Sequence, residues 1–226
     1  MATNFPSSLD SFSNPSATDA MNSGTVPHAT QHADVNDAVE ALQAKVGVDG
    51  SAVAGSLDYQ VANQGLTLVK TQTIGSGVSS VTVTDAFSAT FDNYRIIITD
   101  TTASFNLALN MRLGSETGSN YKYLGHYQKW NNSTVVGYGP ATNTYFDSIG
   151  RMTTNGSNRS LIDLCSPYQS KPTQGYSNSS GNFTTDFVVA LHLWLDTSDS
   201  YTSFIVFPNS GTMSGGTIRV YGYNNG

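Results

Sequence analysis

The sequence predicts a mainly β protein with three parts: an extended N-terminal arm, one short self-associating helix, and a C-terminal antiparallel β-sandwich, jelly-roll-like. Three observations lead there. Charged residues make up only 12% of the 226 residues, about half the usual quarter, and Ser, Thr, Asn, Gly and Tyr take their place. Beyond residue 65, short alternating apolar runs recur between turn residues. One stretch alone, "HATQHADVNDAVEALQAKVGV" from His28 to Val48, reads clearly as a helix.

The arm covers residues 1–27, "MATNFPSSLDSFSNPSATDAMNSGTVP". Its three prolines and many Ser, Thr and Asn leave no helical or strand period, and such a segment alone is expected to be disordered. Phe5, Leu9, Phe12 and Met21 are spaced apolar anchors along it. They suit a strand-like arm lying on a partner protein.

The helix is placed at 28–47, with Lys45 in its last turn and Gly47 as the residue that ends it. Its apolar positions are Val35, Val39, Leu42 and Val46, spaced 4, 3 and 4. That is an a/d seam of under two heptads. An isolated helix of this length is marginal in water, so the seam must pack on something. Further copies of itself, as in a trimeric bundle, are one answer; its own β domain is the other. Residues 48–65 read as a linker marked by Gly50, Gly55 and Gly65.

The β-sandwich domain is placed at 66–226, in eight or so short strands. "LTLVKTQTI" and "VSSVTVTD" flank a glycine turn, and "NYRIIITDT" follows. In "SFNLALNMRLG", Phe105, Leu107, Leu109, Met111 and Leu113 alternate with Asn106, Ala108, Asn110 and Arg112, which predicts one buried face. "TYFDSIGRM" and "RSLIDLCS" are joined by "TTNGSN", whose Asn155-Gly156 predicts a hairpin. "DFVVALHLWLD" is apolar on both faces, as in a central strand or a subunit interface. "SYTSFIVFP" and "GTIRVYGYNNG" close the domain.

Charge and cysteine content narrow the function classes. Net charge is −6. Residues 1–60 hold seven acids and one base, and the remainder is balanced, with nine of each. Nothing forms the basic stripe that neutralises phosphates, so no nucleic-acid partner is expected. The longest apolar run, Phe187 to Leu191, is far short of a membrane span, so no membrane insertion is expected either. "MATNFPSSLD" carries no basic leader and no apolar core, so no secretory signal is expected. The single cysteine, Cys165, sits in an apolar run and is expected to be a buried structural thiol.

Catalytic material is sparse, and the expectation is a non-enzyme without cofactor. The histidines are His28, His32, His126 and His192. His28 and His32 are four apart and share a helix face, but no Cys or third His follows at ligand spacing. No metal site is therefore expected within one chain; a site between subunits on a threefold axis stays open. His192 is expected to be a hydrogen-bonded core residue. "GSGVSS" lacks the third glycine of a dinucleotide loop. Asp147, Asp163 and Asp186 show no readable pairing of the kind a glycosidase needs.

The densest aromatic stretch is "YKYLGHYQKWNNSTVVGYGPATNTY", with Tyr121, Tyr123, His126, Tyr127, Trp130, Tyr138 and Tyr145. Aromatic faces beside amides and hydroxyls suit a glycan or protein surface. Aromatics also favour strands for packing reasons, and both readings stand.

The front of the chain resembles the N-terminal region of virion structural proteins of tailed bacteriophages. The residues that carry this are "NFPSSLDSFSNP" and "HATQHADVNDAVEALQAKVGVDGSAVAGSLDYQV", over roughly residues 4–61. The ending "FPNSGTMSGGTIRVYGYNNG" is similar to that of phage β-domain fibre proteins. The resemblance implies an anchor-plus-knob protein of the virion, commonly homotrimeric: the arm attaches to other virion proteins and the β domain projects. It leaves three functional alternatives: a short fibre or spike that contacts a host-surface glycan or protein, a capsid decoration or head-fibre protein without a specific receptor, and a glycan-degrading enzyme.

Overall fold

The computed structural model describes residues 28–129, 131, 133–139, 142–156, 158–181 and 187–224, together with Thr18, Ala20 and Gly24; Tyr138 and Phe187 are described by backbone alone. The proposed arm anchors Phe5, Leu9, Phe12 and Met21, and Trp130 and Asp186, lie outside these residues. The chain divides into two compact units between Gln64 and Gly65.

The first unit is helical. α1 spans His28–Val46. It stops where Gly47 takes a φ of +86°, a left-handed conformation that a side chain disfavours. The Gly47 N–H donates to the Gln43 carbonyl across 2.8 Å. A second helix, α2 (Leu57–Ala62), lies in the stretch expected to be only linker. Ser56 caps it: the Tyr59 N–H donates to Ser56 Oγ at 3.3 Å, and Asp58 stands in its first turn. That cap and an acid near the positive end of the helix dipole are local signals, easily lost among glycines.

The second unit is mainly β. In chain order its strands are β1 (Leu66–Thr73), β2 (Val81–Val83), β3 (Asn93–Thr99), β4 (Thr102–Ala103), β5 (Leu107–Leu113), β6 (Tyr121–Lys129), β7 (Val136–Tyr138), β8 (Phe146–Met152), β9 (Asn158–Cys165), β10 (Thr173–Gly181), β11 (Phe187–Leu195), β12 (Phe204–Pro208), β13 (Met213–Ser214) and β14 (Thr217–Tyr223). They form an eight-stranded sheet in the order β1-β14-β3-β9-β10-β11-β6-β7, a four-stranded sheet β2-β12-β5-β8, and the pair β13-β4. All the strand pairs are antiparallel.

Both larger sheets feed one apolar core. The long sheet contributes Tyr94, Ile96 and Ile98 from β3, Ile162 and Leu164 from β9, and Val189, Leu191, Leu193 and Leu195 from β11. The short sheet contributes Leu109, Met111 and Leu113 from β5 and Phe204 and Val206 from β12. Between strands, Phe87 stacks on Phe204 at 5.7 Å and meets Tyr94 edge-on at 4.9 Å. Alternation works as expected in β3, where every second residue is buried.

Four expectations need correcting. Asn155-Gly156 does make a turn, with Gly156 at φ +73°, but no hairpin: β8 joins the short sheet and β9 the long one. The chain crosses between sheets there. Phe105 falls before β5 and is 62% exposed. Both faces of β5 are instead covered, and even Asn110 is buried, its Oδ1 accepting the Ser148 N–H at 3.1 Å. Cys165 is exposed, at the very end of β9, where alternation turns its side chain outward. His192 shares a face with Ala190 and Trp194, but that face is the outer one.

Candidate functional site

Two surfaces are candidates, one in each unit. The first is the seam of α1. Val35, Val39, Leu42 and Val46 are 51%, 46%, 51% and 45% exposed. Of the nineteen residues in α1, only Asp34 is buried. A helix normally hides its apolar stripe, because burying one Val or Leu side chain is worth about 1.5–3 kcal/mol. In the single chain this stripe lies open. At the start of the same helix the rings of His28 and His32 meet edge-on, with centroids 4.3 Å apart. One Nε2–H donates to the other Nε2 across 2.9 Å, and both residues are exposed. Among the described residues of one chain, no group of three or more His, Cys, Asp or Glu could hold a metal ion.

The second surface is a groove of about 590 Å³ on the outer face of the long sheet. Strand register builds it. Cys165, Gln174, Trp194 and Lys122 are successive partners across β9, β10, β11 and β6. One row along stand Asp163, Tyr176, His192 and Leu124. Directly paired side chains point to the same face, so aromatic, amide and charged groups converge there. Tyr176 is 52% and Trp194 39% exposed. The Tyr176 and His192 rings meet edge-on at 4.7 Å. Lys122 Nζ lies 2.6 Å from Asp196 Oδ2. The Lys122 hydrogen bond, then one from the Trp194 side chain, holds the Asp196 carboxyl below its ordinary range. The indole edge is thus tied down while part of the ring faces out.

Beside the groove a second polar group is fixed. Arg95 Nε and Nη2 donate to the two carboxylate oxygens of Asp163, both at 2.8 Å, and the Tyr223 hydroxyl donates to Asp163 Oδ1 at 2.7 Å. Partial burial raises the Asp163 pKa, but the hydrogen bonds from Arg95 and Tyr223 outweigh it and leave the carboxyl below its usual range. Desolvation, then the Asp163 hydrogen bond, pushes the Tyr223 phenol up to about 12. Partial burial, with the Asp163 charge next, also raises the Cys165 thiol. A raised thiol is a weak nucleophile near neutral pH.

The aromatic stretch divides. Tyr121 is buried completely and Tyr123 almost so, which corrects their place on a candidate surface. The Leu113 N–H donates to the Tyr121 hydroxyl at 3.0 Å, and that hydroxyl donates to the Glu116 carbonyl at 3.3 Å. Burial raises both phenols, Tyr123 to about 12. Tyr127 is half-buried against the core. Tyr145 is also half-buried, edge-on to Phe207 at 5.3 Å with Arg112 over its ring at 5.7 Å. His126 is exposed, one pair along from His192 on β6. Tyr138 lies in edge strand β7.

Sequence reasoning missed Gln174, Tyr176 and Trp194 as neighbours of one groove. Burial alternates strictly along β10, with Gln174 and Tyr176 outward, but the inward residues of "TQGYSNSSG" are Thr, Gly and Ser, so no apolar pattern signals it in the sequence. The sequence also lacks any sign of which strand lies alongside. No family model matches this chain and no curated protein matches it, so the functional reading rests on its residues and their geometry.

Proposed function

We propose that this chain is a structural protein of a tailed-bacteriophage particle, a short fibre or spike that works as a homotrimer. Its arm, residues 1–27, docks on other virion proteins. α1 gathers the copies. The β unit, read as a jelly-roll-like sandwich of the two sheets around their common core, projects and contacts the host surface.

One observation carries this reading: the open stripe Val35, Val39, Leu42 and Val46 on a helix that buries no apolar residue of its own. Packing the stripe against two copies removes it from water three times over, and tethered β units then act together. The resemblance of residues 4–61 to virion proteins supplies the setting. The outer groove, with Trp194, Tyr176, His192 and Gln174, offers the host-facing surface, since an aromatic ring flanked by amide and ammonium groups suits a hydroxyl-rich ligand.

Light scattering on the full chain tests the association. Three copies of 24.0 kDa give about 72 kDa; a single-copy mass at micromolar concentration overturns the reading. Removing residues 1–27 tests the anchor. The shortened chain keeps its folded β unit and no longer joins particles; normal incorporation sinks that assignment.

A further inference from the structure

The seam of α1 does not begin at Val35. Continued backwards in the same alternating steps of three and four, it reaches His32 and then His28. At about 100° per residue, positions 28, 32, 35, 39, 42 and 46 fall within an arc of roughly 80°. Two imidazoles thus occupy the first two layers of an otherwise aliphatic stripe. The nearby acids Asp34, Asp37 and Glu40 fall off this arc.

We propose that association of α1 creates a site for a divalent first-row transition ion, held by His28 and His32 of every copy. This rests on the self-association proposed above. The two rings lie within chelating reach in one chain: a hydrogen bond joins their Nε2 atoms across 2.9 Å. Imidazole nitrogens bind such ions at about 2.0–2.1 Å. Two of them at a right angle are then about 2.9–3.0 Å apart, whereas tetrahedral ligands sit about 3.3–3.4 Å apart. Once this hydrogen bond is broken, rings this close can take neighbouring positions of an octahedron with only a small change of spacing. One copy fills two positions and three copies fill six, so the site is incomplete without the partners.

The protons balance without an outside acid or base. In the single chain one ring carries its proton on Nε2 and donates it to the other. When an ion takes both Nε2 lone pairs, that proton moves to Nδ1 of its own ring, and both imidazoles stay neutral. The bond lost is one exposed hydrogen bond; the bonds formed are two to the ion per copy.

The test uses the untagged full chain, stripped with a chelator, and Ni²⁺ as probe. Calorimetry is expected to give one Ni²⁺ per three chains, and light scattering a fall of at least tenfold in the concentration at which copies associate. Co²⁺ is expected to give the weak visible absorption of octahedral coordination. The H28A/H32A double variant takes up no Ni²⁺. The V39D/L42D variant, unable to associate, binds Ni²⁺ at least a hundredfold more weakly although both imidazoles remain. Thermal melting of the β unit shows that each variant folds. A chain that associates yet takes up no Ni²⁺, or takes up one per chain without a change in mass, overturns the site alone. A chain that stays single with and without Ni²⁺ overturns the association and the site with it, and mass alone separates the two failures.

Discussion

Leu109 in β5 and Leu42 in α1 carry the same side chain in opposite circumstances. The first is 0% exposed and the second 51%. The contrast runs through both units. The β unit buries Tyr94, Ile96, Ile98, Phe146, Phe204 and Val220 completely. The helical unit leaves Val35, Val39, Val46, Val48, Val53, Leu57 and Val61 open. The two larger sheets share one apolar core, although Leu68, Phe105, Leu124 and Val135 of the same unit stay exposed. A short helix with a narrow stripe has little stability of its own, and this one keeps its apolar face open in the single chain. One part of the chain covers most of its apolar side chains by folding; the other leaves its apolar side chains open.

Breaking the helical side of this contrast should have the largest effect. The V39D/L42D variant puts charge into the seam and is expected to weaken association at least a hundredfold by light scattering, since each buried Val or Leu is worth about 1.5–3 kcal/mol. Melting of the β unit should not move. A shared loss would mean that the units are not independent.

The reciprocal change is Phe204→Ala. It removes a fully buried ring that stacks on Phe87 and is expected to cost about 3–5 kcal/mol of β-unit stability by denaturant titration. Association through α1 should survive at temperatures where the β unit stays folded. A cost under about 1 kcal/mol would mean that the core repacks freely.

Smaller in effect is Asp163→Asn, expected to cost about 1 kcal/mol at pH 7, because the Arg95 pair is partly exposed and solvent screens it. Its pH dependence has a definite sign. The folded carboxyl titrates below its ordinary range, so its contribution is complete above the unfolded value near pH 4. It fades as pH falls through the lower folded value. The variant and the natural chain should therefore converge in stability once the pH has fallen below that folded value. A gap that persists there would place the effect in packing. Smallest of all, Trp194→Ala at the exposed groove should shift stability by no more than about 0.5 kcal/mol. Binding to host-surface polysaccharide should nonetheless disappear if the groove makes the contact.

What could be read from the sequence was local in origin. The 3-and-4 spacing of Val35 to Val46 and the left-handed glycine after it mark α1, because both act within a turn or two of helix. Alternation likewise marks β3. What could not be read depends on distant partners. Asn155-Gly156 makes the same turn whether the next strand returns to pair or departs to another sheet, and here it departs. In "YKYLGHYQK" nothing local says that Tyr121 and Tyr123 point into the core while Leu124 and His126 point out. "FVVALHLWL" is apolar at nearly every position, so its outward face, with His192 and Trp194, shows only once β10 and β6 lie beside it. The groove is a product of register across four strands, and register is set by the fold as a whole.

The position of β14 has a consequence for synthesis. This strand lies between β1 and β3, so the long sheet cannot close until Thr217–Tyr223 has left the ribosome. At about 5–20 residues per second, α1 is out roughly 10 to 35 seconds earlier. During that interval nascent chains on one message already display the helix and not yet the complete long sheet. On the proposed reading, copies from neighbouring ribosomes would meet through their helices first and complete their β units afterwards.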